Sequence, residues 1–130
     1  MADQSLGALI KTQTAVLAAA GIDDAQRDAR LLIAHALGLS AIDLLKSPER
    51  LLPMAEAEAA MTLIARRCRH EPVSRITGSR DFYGRAFRIT PATLDPRPES
   101  ETLIEAALAA FARAGRTSEP LVILDVVTGE

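Results

Sequence analysis

The sequence predicts a mainly α fold: a small helical-bundle amino-terminal domain over residues 1–77, a β-hairpin linker over 78–92, and from 93 to 130 the start of a doubly wound α/β domain. Three observations predict it. Hydrophobic residues make up 48% of the 130 residues but aromatics only 3%, which points to helices packed through alanine and leucine. Apolar side chains recur at helical spacing as far as His70. Beyond Pro72 the residues become β-rich on both sides of Gly84, and the chain closes on a near-continuous apolar run.

Taken in order, Leu6, Leu9, Ile10, Leu17 and Ala20 fall near one face of a first helix that Gly21 can end, with Gln13 interrupting the stripe. Asp23 and Gln26 have the spacing of a capping box. Behind them Ala29, Leu32, Ile33, Ala36 and Leu37 follow the i, i+3, i+4, i+7, i+8 pattern until Gly38 stops the helix. His35 adjoins this stripe and reads as a hydrogen-bonded packing histidine. A short helix from Ser40 to Lys46 is ended by Ser47-Pro48. A longer one, Met54 to His70, places Ala57, Met61, Ile64 and Cys68 inward.

In the stretch RDFYGRAFRIT, Phe87 and Ile89 share one face and Arg88 takes the other, as in a short hairpin. Leu103, Ile104, Ala107, Leu108 and Phe111 then make an amphipathic helix ending near Gly115. Leu121 to Val127 reads as a strand covered on both faces, as in a parallel sheet. Uncovered, that strand should seek a partner, either the edge of the hairpin at 82–89 or the same strand of a second copy, through 121–127.

Composition excludes several classes. The runs Ala15–Ala20 and Leu121–Leu124 are far too short to span a bilayer, and Met1 is followed by Asp3 rather than by a basic and then apolar leader, so a cytoplasmic protein without a membrane partner is expected. The single cysteine, Cys68, forms no internal disulfide. With only His35 and His70 beside it, no metal site is expected.

Charge is distributed unevenly. The net charge of −2 conceals seven arginines between Arg66 and Arg88 against only Glu71 and Asp81. Such a cluster can steer an acidic protein or a nucleic acid, or it can be a solvated face whose arginines are paired locally. The aromatics nearby, Phe82, Tyr83 and Phe87, do not fit a base-stacking signature, which disfavours nucleic acid. Arg66, Arg67 and Arg69 are the candidate partner-binding residues.

In TLDPRPESET, residues 93–102, Arg97 stands between two prolines. Each proline fixes its own φ and pushes the preceding residue toward an extended conformation, and Pro98 suits the first position of a helix running on from Glu99. The segment is either a stiff connector with an exposed arginine or a site that needs an arginine on a preset backbone.

The stretches DARLLIAHALGL, EPVSRITGSRDFYGRAFRIT, LDPRPESETLIEAAL and VILDVVTG resemble, in order and spacing, the HemK/PrmC family of S-adenosylmethionine-dependent methyltransferases, which modify a glutamine side-chain nitrogen in peptide-chain release factors. The resemblance covers nearly the whole chain and implies the amino-terminal part of such an enzyme: a helical substrate-recruiting domain, a hairpin linker and the truncated start of a Rossmann-like methyltransferase domain. It implies release factors as partners and S-adenosylmethionine as cofactor. It places Leu94, Pro96, Arg97, Pro98, Glu99 and Ser100 at the rim of the substrate pocket, and Asp125, Thr128 and Gly129 in the first cofactor motif.

The family's Asn-Pro-Pro-Tyr motif is absent from these residues, so no catalytic residue is assigned and the chain by itself is expected to be inactive. Two positions depart from the family pattern. Val127 stands where the family has a glycine that lets the backbone pass close to the cofactor, and Asp95 where a hydrophobic residue is common. A non-catalytic protein-binding helical module and a nucleic-acid-binding helical domain are the alternative functions.

Overall fold

In the computed structural model, which describes residues 4–126, contacts divide the chain into two units, Met1–Thr77 and Gly78–Glu130. The first unit is helical. Helix α1, Leu6–Ala19, begins where the Ser5 hydroxyl accepts a hydrogen bond from the Ala8 N–H at 3.2 Å. Its buried stripe is Leu6, Leu9, Gln13 and Leu17. Gln13 thus lies on the inward face rather than interrupting it, because helical geometry and not polarity sets which side faces the core.

Helix α1 closes with a Schellman pair: Ile22 N–H bonds the Leu17 carbonyl and Gly21 N–H that of Ala18, both at 3.1 Å. Gly21, at φ 84°, supplies the left-handed residue this requires. Ile22 then packs in the same apolar cluster as Leu17.

Helix α2, Ala25–Leu37, corrects the expected capping box. Its N-cap is Asp24, and no side chain caps it. At φ −105° and ψ 50°, Asp24 is outside the extended region from which a capping side chain reaches back to the first turn. The capping box forms instead on α3, Ala41–Lys46: Ser40 N–H donates to Asp43 Oδ2, and Asp43 N–H to Ser40 Oγ, each at 3.1 Å. The backbone and side-chain hydrogen bonds from Ser40 hold the Asp43 carboxyl below its ordinary pKa.

Two two-residue strands, β1 (Gln4–Ser5) and β2 (Leu51–Leu52), pair antiparallel and bring the start of α1 to the start of α4, Met54–Cys68. The buried residues of α4 are Ala57, Ala60 and Ile64. Met61 is exposed instead and Cys68 only half-buried, since the small Ala60 is the side chain that lets α4 approach its neighbours. A further short helix, α5 (Val73–Thr77), follows the α4 corner and was not expected.

Helix α2 serves both apolar clusters of this unit. Ile33 joins Leu6, Leu9, Leu44, Leu52 and Ala60; Leu32 and Ala29 join Leu17, Ile64 and Ile76. His35 projects away from both and is exposed, so it is not the packing histidine expected; the stripe it adjoins is narrower than the pattern suggests.

In the second unit, β3 (Ser79–Phe82) and β4 (Arg85–Arg88) form an antiparallel hairpin with Phe82 opposite Arg85. Tyr83 and Gly84 make the turn, both with positive φ, 50° and 70°. The rings of Phe82 and Phe87 meet edge to face, 5.9 Å between centroids. Helix α6 spans Ser100–Arg113 and carries no buried residue. It starts two residues after Pro98, with Glu99 as its N-cap.

The strand expected at Leu121 to Val127 is not formed among the described residues. Residues 121–125 have no regular structure, Val126 is in a turn, and among the described residues the sheet of this unit is the two-stranded hairpin, which does not take the segment on its edge. A strand exists only through its ladder, so an apolar run without a paired edge stays irregular whatever its propensity. Val127 lies outside the described residues. Among the described residues no helix is long and apolar enough to cross a membrane.

Candidate functional site

The segment from Leu94 to Ser100 is held at both flanks by the hairpin. On one side Arg80 Nη1 donates to Asp95 Oδ2 at 2.8 Å, an ion pair about one-third exposed. On the other the Tyr83 N–H donates to Glu101 Oε1, also at 2.8 Å. Partial burial, and next the Glu105 carboxylate, push the Tyr83 hydroxyl above its ordinary pKa. Thr90 and Thr93 join hydroxyl to hydroxyl at 2.9 Å, tightening the turn that leads into the segment.

Between these anchors the backbone rises into α6 through short-range bonds, from Ser100 N–H to the Arg97 carbonyl at 3.0 Å and from Glu101 N–H to the Pro98 carbonyl at 3.1 Å. Pro96 is half-buried, whereas Leu94, Arg97, Pro98, Glu99 and Ser100 are exposed. The structure therefore presents Arg97 to solvent on a backbone fixed by two prolines and two side-chain anchors. A guanidinium so placed can give paired hydrogen bonds to a carboxylate or carbonyl without first ordering its own main chain.

The arginine cluster is partly internal. Arg66 Nε donates to Glu71 Oε2 at 2.9 Å, and its Nη2 bonds the other carboxylate oxygen. This fork holds the Glu71 carboxyl below its ordinary pKa and raises that of Arg66. Arg67 Nε reaches Asp28 Oδ2 at 2.9 Å, and its Nη1 bonds the Glu71 carbonyl at 3.0 Å. Arg69 is exposed. Arg66 and Arg67 thus stand on the last turn of α4 and Arg69 is its C-cap, where cations favour the carbonyl end of a helix, and the first two close its corner with α5.

Asp125 is exposed and outside regular structure, and Thr128 and Gly129 lie outside the described residues. Among the described residues no strand end positions the Asp125 carboxylate. Among the described residues no group of acidic, histidine and cysteine side chains could hold a metal ion.

Several residues of this arrangement have no signature in the sequence: Arg80, Asp95, Tyr83, Glu101 and Asp28. Each is an ordinary polar residue until a partner far along the chain meets it. Only the placement of Asp95 directly before a proline gave a hint, since a proline restricts the backbone of the residue that precedes it.

Comparison with known proteins extends the picture. A family model described as the PrmC N-terminal domain matches residues 8–78. The chain is 51% identical over 115 residues to a release factor glutamine methyltransferase of Cereibacter sphaeroides, covering 87% of the chain and 38% of the relative. It is 44% identical over 124 residues to that of Rhodospirillum rubrum, covering 95% of the chain and 37% of the relative. To that of Bradyrhizobium diazoefficiens it is 42% identical over 126 residues, covering 97% of the chain and 42% of the relative. It thus spans about two-fifths of the length of these curated relatives. With the matched domain coinciding with the helical unit that carries Arg66, Arg67 and Arg69, the chain belongs to the HemK/PrmC family.

Proposed function

We propose that this chain is the amino-terminal, substrate-recognition part of an S-adenosylmethionine-dependent methyltransferase that methylates a glutamine side-chain nitrogen of peptide-chain release factors. The observation that carries it is the similarity to release factor glutamine methyltransferases across nearly the whole chain, from the helical unit through the Pro-Arg-Pro segment. In this reading the helical unit recruits the release factor, with Arg69, and the outward faces of Arg66 and Arg67, meeting acidic groups. The segment from Leu94 to Ser100 forms part of the pocket rim, where Arg97 offers directional hydrogen bonds to the incoming backbone.

Chemistry of this kind draws mainly on orientation and electrostatics, which a rim held at both flanks serves well. In this reading the chain by itself transfers no methyl group, since the Asn-Pro-Pro-Tyr motif with which the family holds the glutamine is not among its residues.

The test is a chimera in which this chain replaces the matching segment of the Rhodospirillum rubrum relative, assayed with labelled S-adenosylmethionine and a release factor. Retained methylation supports the reading, and a folded but inert chimera refutes it. The chain alone, in the same assay, should give no incorporation above the no-enzyme control.

A further inference from the structure

An open groove of about 410 Å³ runs across the helical unit between α1, α2 and α3, away from the arginines at the end of α4. Its floor is apolar: Ile10 from α1, Leu44 and Leu45 from α3, and Pro48 beyond it. Leu45 is 67% exposed, a large aliphatic side chain that nothing in the chain covers among the described residues. Gly7 closes one end. Its N–H bonds the Pro48 carbonyl at 2.7 Å, and a Cβ there would lie 3.1 Å from that same oxygen, so the close approach that shapes the groove depends on glycine.

The charged residues of the groove are Lys11 and Arg30, and no carboxylate lines it. Six arginines outside the groove, Arg27, Arg50, Arg66, Arg67, Arg80 and Arg116, each sit in an ion pair. Lys11 and Arg30 have no ion-pair partner among the described residues. In a chain of net charge −2, two uncompensated cations beside an exposed leucine are a local reversal of sign placed over an apolar floor.

We propose that this groove docks an acidic protein segment that carries an aliphatic anchor. The anchor lies against Leu45, Leu44 and Ile10, and flanking carboxylates meet Lys11 and Arg30. Charge complementarity selects this occupant: an apolar floor alone would accept any hydrophobic segment, and two cations without carboxylates reject a basic one. The groove is also of the size that holds a few side chains, within roughly 300–1,000 Å³ for ligand sites. Only the identity of the protein that supplies the segment rests on the recruiting role proposed above.

The probe is a short fluorescent peptide of glutamates and leucines, titrated into the full chain and followed by anisotropy and by amide chemical shifts. Binding should map to α1, α2 and α3, weaken at least tenfold in K11E/R30E and several-fold in L45S, and weaken with added salt. All three side chains are exposed enough that the variants should fold, which circular dichroism checks. A peptide of lysines and leucines should not bind, and one of glutamates and alanines should bind less well. Shifts mapping to the α4 corner, or affinity unchanged in K11E/R30E, would overturn the proposal.

A release factor captured equally by wild type and K11E/R30E would overturn the release factor as the source of the segment while leaving the recruiting role intact. Peptide bound in the groove with no release factor bound would uphold the groove and count against that role.

Discussion

Arg67 on α4 and Asp28 on α2, thirty-nine residues apart in sequence, are joined at 2.9 Å between Nε and Oδ2, and the Asp28 carboxylate is almost fully buried. A buried carboxylate is costly unless it is paired, so the bond fixes the relative placement of the two central helices as well as contributing to stability. It also means that Arg67 is not free to act as a purely external charge. Replacing it with alanine leaves Asp28 buried and alone and should cost about 2–3 kcal/mol, somewhat below a fully buried pair because Arg67 is partly exposed. The double variant R67M/D28L should cost less than R67A. Urea denaturation reads both, and an R67A cost below about 0.5 kcal/mol would contradict this account.

Acid should loosen the corner between α4 and α5. Arg66 holds the Glu71 carboxyl below its ordinary value, so its stabilisation is present above the unfolded pKa of about 4.3 and is lost as pH falls from there through the lower folded value. In E71Q that part of the acid dependence should vanish, leaving a flatter profile of urea midpoint against pH. Parallel profiles for the two proteins would show that the ion pair contributes nothing.

His70 occupies the left-handed residue that closes α4, at φ 64°, where its N–H bonds the Arg67 carbonyl at 2.8 Å. A Cβ in that conformation costs roughly 1–2 kcal/mol, and a glycine there gives back part of the difference in unfolded-state entropy. H70G should therefore raise stability by up to about 1 kcal/mol. A loss of stability in thermal unfolding would mean that the imidazole makes a contact worth more than the strain.

Glu101 takes the Tyr83 N–H in a charge-assisted bond, typically worth about 1.5–3 kcal/mol. In E101A the Tyr83 amide should exchange with solvent roughly ten to a hundred times faster, with smaller increases at the start of α6. Unchanged exchange would remove the Tyr83–Glu101 bond as an anchor of the Pro-Arg-Pro segment and leave only Arg80–Asp95.

Val122, Ile123, Leu124 and Val126 are exposed apolar side chains in a stretch without regular structure. Deleting residues 117–130 should leave the melting of the helical unit within a degree or two, since its two clusters lie wholly between Leu6 and Ile76. Analytical ultracentrifugation of the two forms should show less association in the deletion, because such an apolar stretch is an association surface. A marked fall in melting temperature would place the segment in the core.

The sequence by itself determined helices α1 to α4 of the first unit, though not the short α5. Leu6, Leu9 and Leu17, then Ala29, Leu32 and Ile33, repeat at helical spacing, and Gly21 and Gly38 sit where left-handed closing residues are needed. It also determined the hairpin, through β-rich residues around Tyr83-Gly84, and the start of α6, to within two residues of Pro98. These are local choices, made by periodicity and by backbone restrictions that a few adjacent residues carry.

What only tertiary structure decided are matters of partnership. Met61 and His35 have helical positions close to the apolar stripe, yet both are exposed: on α4 the packing covers Ala60 and not Met61, and on α2 it covers Leu32, Ile33 and Ala34 and not His35. Arg66 and Arg67 look like free surface charge until Glu71 and Asp28 meet them. The run from Leu121 has every local feature of a buried strand and is not one here, because a strand's hydrogen bonds lie entirely with another segment, whereas a helix supplies its own.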